Sequence, residues 1–473
     1  MSLITRQGKG SKLTIQEMDN NLTYLEGLSG GGLEGTQYVF VQADGTDVEN
    51  GQELQAAYNT AKNLASVITS LSNNILTGNG SISIAMNIIS PIESVGDIPI
   101  GLNNFEVISD NGTEILQFDV IDYIEGVGIS FSSDVSRTNV TSLKLQDVTL
   151  KRATVIASPS YYNFSSDFVM DEEYVDLVSL DGNRSVVFNG IGTISITAND
   201  VFVKGVDVGS KNFTIGDNLN LLKIENCQGG ESSFGGDPIL GSNPITVSGT
   251  FTDCVGGNNS FGGNGGTASG TFTDCQGGDF SFGGQNGDAS GTFINCQGQN
   301  GSFGSFGTAS GTFKNCQGGF ASFGGNGIAS GTFTDCQGSG INSFGSGASG
   351  TASGTFINCV GGNLSFGGNV GGTASGTFNN CQGGDNSFGG QGTASGTFIN
   401  CVGGNISFGS GGNGIASGTF TGCQGGNDSF GGSGTLSGKL YYCRLTTGTF
   451  ETVSGAGVTR LCIDGSNNEN NQG

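Results

Sequence analysis

Across the second half of the chain, apolar and polar positions recur as one phrase, with neither a helical period nor a long strand alternation. A representative copy reads Ala268-Ser269-Gly270-Thr271-Phe272-Thr273-Asp274-Cys275-Gln276-Gly277-Gly278, followed by Ser281-Phe282-Gly283-Gly284, and nine copies keep Ser-Gly-Thr-Phe. Cysteines mark the period at 227, 254, 275, 296, 316, 336, 359, 381, 401, 423, 443 and 462, with gaps of 27, 21, 21, 20, 20, 23, 22, 20, 22, 20 and 19. The step from Phe to Cys is three residues in all nine copies, and from Cys to the second Phe it is seven, or eight after Cys336. Otherwise length varies in the Gly, Asn, Ser and Ala stretch that follows.

A unit of about 21 residues with short strand phrases and Gly-rich corners cannot bury a core alone and must stack on its neighbours. The expected fold is all-β, a parallel β-helix (β-solenoid) of about 20–23 residues per coil. With about 4.8 Å between strands, ten regular coils span about 48 Å. Period-2 alternation points Ser269 and Thr271 outward with Gly270 and Phe272 inward, and likewise Ser281 outward with Phe282 inward. Two core ladders follow: Phe251, Phe272, Phe293 and their equivalents to Phe420, and Phe261, Phe282, Phe303 with theirs from Phe234 to Phe430. Together they use 19 of the 32 phenylalanines, and each stacked pair adds about 0.5–1.5 kcal/mol beyond burial. Thr250, Thr271, Thr292, Thr312 and Thr332 begin a surface ladder that runs to Thr419.

Ahead of the repeat the pattern changes. Thr14-Ile15-Gln16-Glu17 is a capping box, with Leu13 and Met18 at staple positions, and Ile15, Met18, Leu22 and Leu25 form a narrow apolar seam suited to pairing with another helix. The predicted organisation is an N-terminal helix over 1–28, a Gly-rich linker over 29–35, a cap and first β-rich region over 36–152, aliphatic coils over 153–226, the repeat solenoid over 227–443, and a last coil with a polar tail over 444–473. Within the cap, a strand at Tyr38 to Val41 precedes a helix capped by Asn50, with Glu53 at its third position and Leu54, Ala57, Tyr58, Ala61 and Leu64 on one face. Residues 81–150 alternate without a sharp repeat, whereas strands are clearer from Thr154 to Ile156, Tyr174 to Leu180, Val186 to Phe188, Thr193 to Ile196, Val201 to Val208 and Leu221 to Ile224.

Composition narrows the chemistry. The 473 residues include 90 Gly and 5 Pro, no His and no Trp, with a net charge of −24. Between Lys223 and Lys439 the only basic residue is Lys314, so the repeat has no stripe to attract nucleic acid or an anionic membrane. Without His, imidazole-based nucleophilic triads and imidazole metal sites are excluded. No run has the length of a spanning helix, and Met1 to Gly10 lacks an apolar export core, so the product is expected to stay where it is made until lysis or assembly.

Three roles are open to the cysteine column, of which Cys254, Cys275 and Cys296 are examples. Stacking as small buried hydrophobes is favoured. Disulfides between coils fit the spacing but not a reducing compartment, and a metal site lacks a C-x-x-C pair. The residue before each cysteine alternates between acid and amide (Asp253, Asp274, Asn295, Asn315, Asp335, Asn358, Asn380, Asn400), which reads as a stacked corner ladder in preference to a calcium site. The acidic cluster Asp167, Asp171, Glu172, Glu173 and Asp176 reads as a solvated turn, with a paired-carboxylate glycosidase site as the sharper alternative.

Leu13-Thr14-Ile15-Gln16-Glu17-Met18-Asp19-Asn20-Asn21 resembles the L-T-x-x-E-M-D-x-N phrase near the N-terminus of many tailed-phage fibre and tail-associated proteins. Residues 36–64, with Ala43-Asp44-Gly45-Thr46, and the stretch Val201-Phe202-Val203-Lys204-Gly205-Val206 are similar to pectate-lyase-like phage tailspike and fibre β-helices, and the repeat array resembles those of marine-phage structural proteins. The resemblance implies a virion protein made in the host cytoplasm, attached to other virion proteins through Leu13, Thr14, Ile15, Glu17, Met18, Asp19, Asn21, Leu22 and Leu25. It further implies a projecting solenoid, commonly trimeric, that contacts a glycan or protein of the host surface. Enzymatic members carry carboxylates on a solenoid face or between subunits, whereas these faces carry Ser, Thr, Asn and Gly, so a non-enzymatic tail fibre or appendage without cofactor is expected. The alternatives are an ice-binding or surface-binding solenoid using the Ser/Thr ladders, and a polysaccharide-degrading tailspike.

Overall fold

The computed structural model describes residues 37–73, 75–76, 104–109, 115–124, 128–131, 140–144, 153–235, 245–263, 265–450 and 457–472. It is a parallel β-solenoid of about 14 coils, with one helix among the described residues. The chain divides into two compact units, Met1–Phe164 with Met170–Gly190 and Ala198–Gly205, and Ser165–Val169 with Ile191–Thr197 and Val206–Gly473.

In the first unit, strand β1 (Gln37–Val41) leads into helix α1 (Asp47–Asn73). β1 pairs in parallel with Ala153–Ala157, which pairs with Val175–Ser179, which pairs with Phe202–Lys204. Val155, Leu177 and Val203 stand in one register and are fully buried, as period-2 patterning requires. Leu54, Ala57, Tyr58, Ala61 and Ala65 form the buried face of α1. The helix begins earlier than its sequence suggests. Thr46 is the cap: its backbone N–H and Oγ1 both donate to Glu49 Oε2 at 2.8 Å. Asn50 is instead a buried tether, its Nδ2 donating to Ser160 Oγ and Tyr161 O at 3.2 Å. At Gly51 a Cβ would lie 2.3 Å from the Asn163 carbonyl oxygen, so only glycine allows α1 to lie this close to the Ser160–Phe164 strand.

The segment expected to continue as irregular strands is antiparallel. Ile75–Leu76, Val140–Lys144, Asn104–Ser109, Ile115–Ile124 and Gly128–Phe131 neighbour one another in that order.

The second unit contains the repeat. Each regular coil contributes a two-residue strand such as Thr267–Ala268, a three-residue strand such as Thr271–Thr273, and a bridge at the residue after Cys, as between Gln276 and Gln297. Every regular strand pairs in parallel with its equivalent in the next coil, so Phe251, Phe272, Phe293 and Phe313 are direct register partners. Identical residues therefore stack. Within each Phe column ring centroids lie 4.7–5.0 Å apart and within 11° of parallel. Between columns the rings meet edge-to-face at 5.5–6.2 Å, the two geometries that the ring quadrupole favours. A third apolar column, Ala268, Ala289, Ala309, Ala329 and their equivalents, is fully buried on the short strand.

The alternation expected at Ser281 and Phe282 does not hold. Phe282 does not lie on a strand: its φ is 53°, as for the equivalent Phe303 (57°) and Phe323 (53°), and the following Gly283 is at 66°. The chain turns left-handed at the ring, alternation no longer applies, and Ser281 is fully buried with its hydroxyl donating to the Gly278 carbonyl at 2.8 Å. The polar tail is also more ordered than its composition suggests. Glu469–Gln472 folds back antiparallel on Val458–Ile463 and covers a sheet edge that parallel stacking would leave open.

Candidate functional site

The described surface of the repeat is a set of columns, and each can be asked what chemistry it leaves free. Thr250, Thr271, Thr292, Thr312 and Thr332 are in parallel register at the outer end of the long strand, wholly or partly exposed. The other outward position of that strand is mixed: Thr252, Thr273, Ile294, Lys314, Thr334, Ile357, Asn379, Ile399 and Thr421. On that side the hydroxyls have no regular partner column, but two residues before each Thr the exposed Ser269, Ser290, Ser310 and Ser330 form a second hydroxyl file beside the first.

The corner before each cysteine carries its side chains as a hydrogen-bonded ladder. Asn295 Nδ2 donates to Asp274 Oδ1 at 3.0 Å, Asn315 to Asn295 at 3.1 Å, Asn358 to Asp335 at 2.9 Å and Asn380 to Asn358 at 3.3 Å. All adopt φ of 53–54°, the left-handed region that Asn and Asp tolerate best among residues with a Cβ. A second ladder lies three residues before the second Phe of the coil, as at Asn258 before Phe261. Asn258 Oδ1 accepts from Asp279 N, Asp279 Oδ1 from Asn300 N and Asn300 Oδ1 from Phe320 N, at 2.9–3.0 Å. It resumes at Asn363, Asp385, Asn405 and Asn427.

All twelve cysteines are free and buried. Cys275 Sγ lies 3.4 Å from the Phe251 carbonyl of the preceding coil and 3.3 Å from the Thr273 carbonyl of its own. Burial, with the neighbouring thiols of the column, pushes Cys275, Cys359 and Cys423 well above the ordinary thiol range. Among the described residues no group of His, Cys, Asp or Glu side chains has the arrangement of a metal site.

The acidic cluster is absorbed by structure. Asp167 accepts from the Thr193 amide at 3.1 Å. Asp171 pairs with Lys62 at 2.7 Å, which together with Tyr58 holds its carboxyl below the usual range against the opposing effect of burial. Tyr58 Oη accepts from the Asp171 and Glu172 amides, and burial raises its own pKa. Asp176 is buried and accepts from the Phe202 amide at 2.8 Å, and Glu173 accepts from Asn199. These carboxylates are bound into turns and are not paired across an open cleft.

Leu13, Thr14, Ile15, Glu17, Met18, Asp19, Asn21, Leu22 and Leu25 lie outside the described residues. What the sequence reading missed is a groove of about 450 Å³ along the column after the cysteines, lined by Gln276, Gln297, Gln317, Gln337, Asn300 and Ser339 with intervening glycines. Its signal was the residue after Cys, which is Gln in four successive coils here and Val at 255, 360 and 402.

No protein-family model matches the chain, and neither a curated protein nor a solved structure is similar enough to count as a match. Among the described residues no helix is long and apolar enough to cross a membrane.

Proposed function

We propose that this protein is a non-enzymatic virion structural protein, a phage tail fibre or appendage that attaches through its N-terminal segment and projects its β-solenoid toward the host surface. The observation that carries the reading is the use made of reactive side chains. Thiols, carboxylates and amides of the repeat are largely spent on joining one coil to the next, as a protein selected for mechanical continuity requires. The resemblance of Leu13 to Asn21 to tail-protein N-termini supplies the attachment site, with trimerisation along the seam of Ile15, Met18, Leu22 and Leu25. Particles purified on a density gradient from an infected lysate should contain peptides of this chain in fixed ratio to the tail proteins. Its absence from the particles would refute the reading.

An ice-binding or surface-binding solenoid is the second reading, supported by the register of the Thr column and by the exposed Ser column that begins at Ser269 beside it, and weakened by Ile294, Lys314 and Asn379 on the other side. Thermal hysteresis of the purified protein would favour it. A polysaccharide-degrading tailspike is weakened by the engaged carboxylates, and shortening of host surface glycans on incubation would revive it.

A further inference from the structure

The groove along the glutamine column differs from the two Asx ladders of the repeat. Gln276, Gln297, Gln317 and Gln337 are exposed and bridge one another in unbroken parallel register, with Val255 and Val360 ending the run on either side. The corner Asx ladder bonds to itself. Among the described residues, by contrast, none of these four amides bonds to another side chain, and all four line the groove.

Beside the same coils the second Asx ladder is interrupted. The positions that would hold its next two members are Phe320 and Ile341, which are 46% and 45% exposed. The groove therefore presents a row of amide donors and acceptors, the Asn300 amide and the Ser339 hydroxyl, next to a local apolar surface. No ionisable side chain lines it, on a chain of net charge −24.

We propose that this groove binds an extended, neutral, hydroxyl-rich polymer, a β-1,4-linked polysaccharide chain lying along the solenoid axis. Amides read vicinal hydroxyls by donating and accepting at once, and an aromatic face beside them takes the apolar face of a sugar ring. The repeat distance selects the ligand further. Successive coils here are 4.8–4.9 Å apart, as their stacked rings show, and an equatorially linked pyranose chain advances by close to this much per sugar. A peptide strand repeats its side chains on one face every ~6.6 Å and falls out of step with the amides. The absence of lining charge disfavours acidic polysaccharides. This assigns a ligand class to the host-contact part of the proposed function, but its measurement does not need a virion.

The test is titration calorimetry of the full-length protein with the β-1,4-linked hexamers and dimers of glucose and mannose, with maltohexaose and hexagalacturonate as comparators. At least one β-1,4 hexamer should bind, its dimer about tenfold or more weaker, because four coils contribute together. The double variant Gln297→Val, Gln317→Val should lose about tenfold or more, and it should fold, because Val255, Val360 and Val402 hold the same ladder position natively. Thr312→Val, outside the groove lining, should bind as the parent does. The proposal is overturned if neither hexamer binds, if maltohexaose or hexagalacturonate binds as tightly, or if the Val variant is unaffected. Binding by a protein that particles lack would retain the groove and remove the virion role.

Discussion

Asn295 donates from Nδ2 to Asp274 Oδ1 across two adjacent coils at 3.0 Å, while both backbones sit in the left-handed region. The corner thus selects Asx twice, once for a conformation that costs most other residues about 1–2 kcal/mol and once for a bond to the next copy.

Substitution can separate the two contributions. Asn315→Gly should keep the conformation and lose the bond to Asn295, costing about 1 kcal/mol, whereas Asn315→Val should lose both and cost about 2–3 kcal/mol. Denaturant midpoints compared at constant slope would show it, and equal costs for the two variants would mean that backbone conformation plays no part.

The glycine of Ser-Gly-Thr-Phe is held by proximity to the preceding coil. A Cβ on Gly291 would lie 2.1 Å from the Gly270 carbonyl oxygen, so Gly291→Ala must push two coils apart. We expect a loss of about 3 kcal/mol, at the upper end of ordinary single substitutions, against little change for the exposed Ser290→Ala. Thermal melts of the two variants are the check.

Phe313 stacks on Phe293 and Phe333 within its column and meets Phe303 and Phe323 edge-on. Phe313→Ala should cost about 3–5 kcal/mol through the cavity it opens. Amide hydrogen exchange should accelerate most in the coils on either side, since each coil is supported only by its neighbours.

Cys275, Cys359 and Cys423 set an alkaline limit, opposed by Cys296, Cys381 and Cys443, which hydrogen bonds from neighbouring thiols hold below the ordinary range. Burial raises the native pKa of Cys275, Cys359 and Cys423, so above the unfolded value of about 8.5 the unfolded chain sheds protons that the native state keeps. Fewer protons bound in the unfolded state means that stability falls as pH rises. This contribution is complete below that pH and is lost progressively above it. In reducing buffer the denaturation midpoint should drop between pH 8 and pH 10, and a thiol reagent should label the column only on unfolding.

The period, the two Phe columns, the Cys column and the corner Asx ladder could be read from spacing alone, because stacking identical units forces identical residues together. The helix start could not. Thr46 and Asn50 are both capable caps, and the choice is made by tertiary demand for the Asn50 amide at Ser160 and Tyr161. The buried Ser281 and left-handed Phe282 were missed because a bulky residue at positive φ has no propensity signal. The second Asx ladder was present in the spacing, at Asn258, Asp279, Asn300, Asn363, Asp385, Asn405 and Asn427. It was hidden because its side chains bond to backbone, not to one another, and Phe320 and Ile341 interrupt the run.

The most direct test of the account is electron microscopy of purified particles labelled with antibody to the Ser-Gly-Thr-Phe repeat. The account predicts label at a fixed distance from the tail, on projections that antibody to residues 1–28 marks only at their base. Unlabelled particles, with the protein recovered free in the lysate, would contradict it.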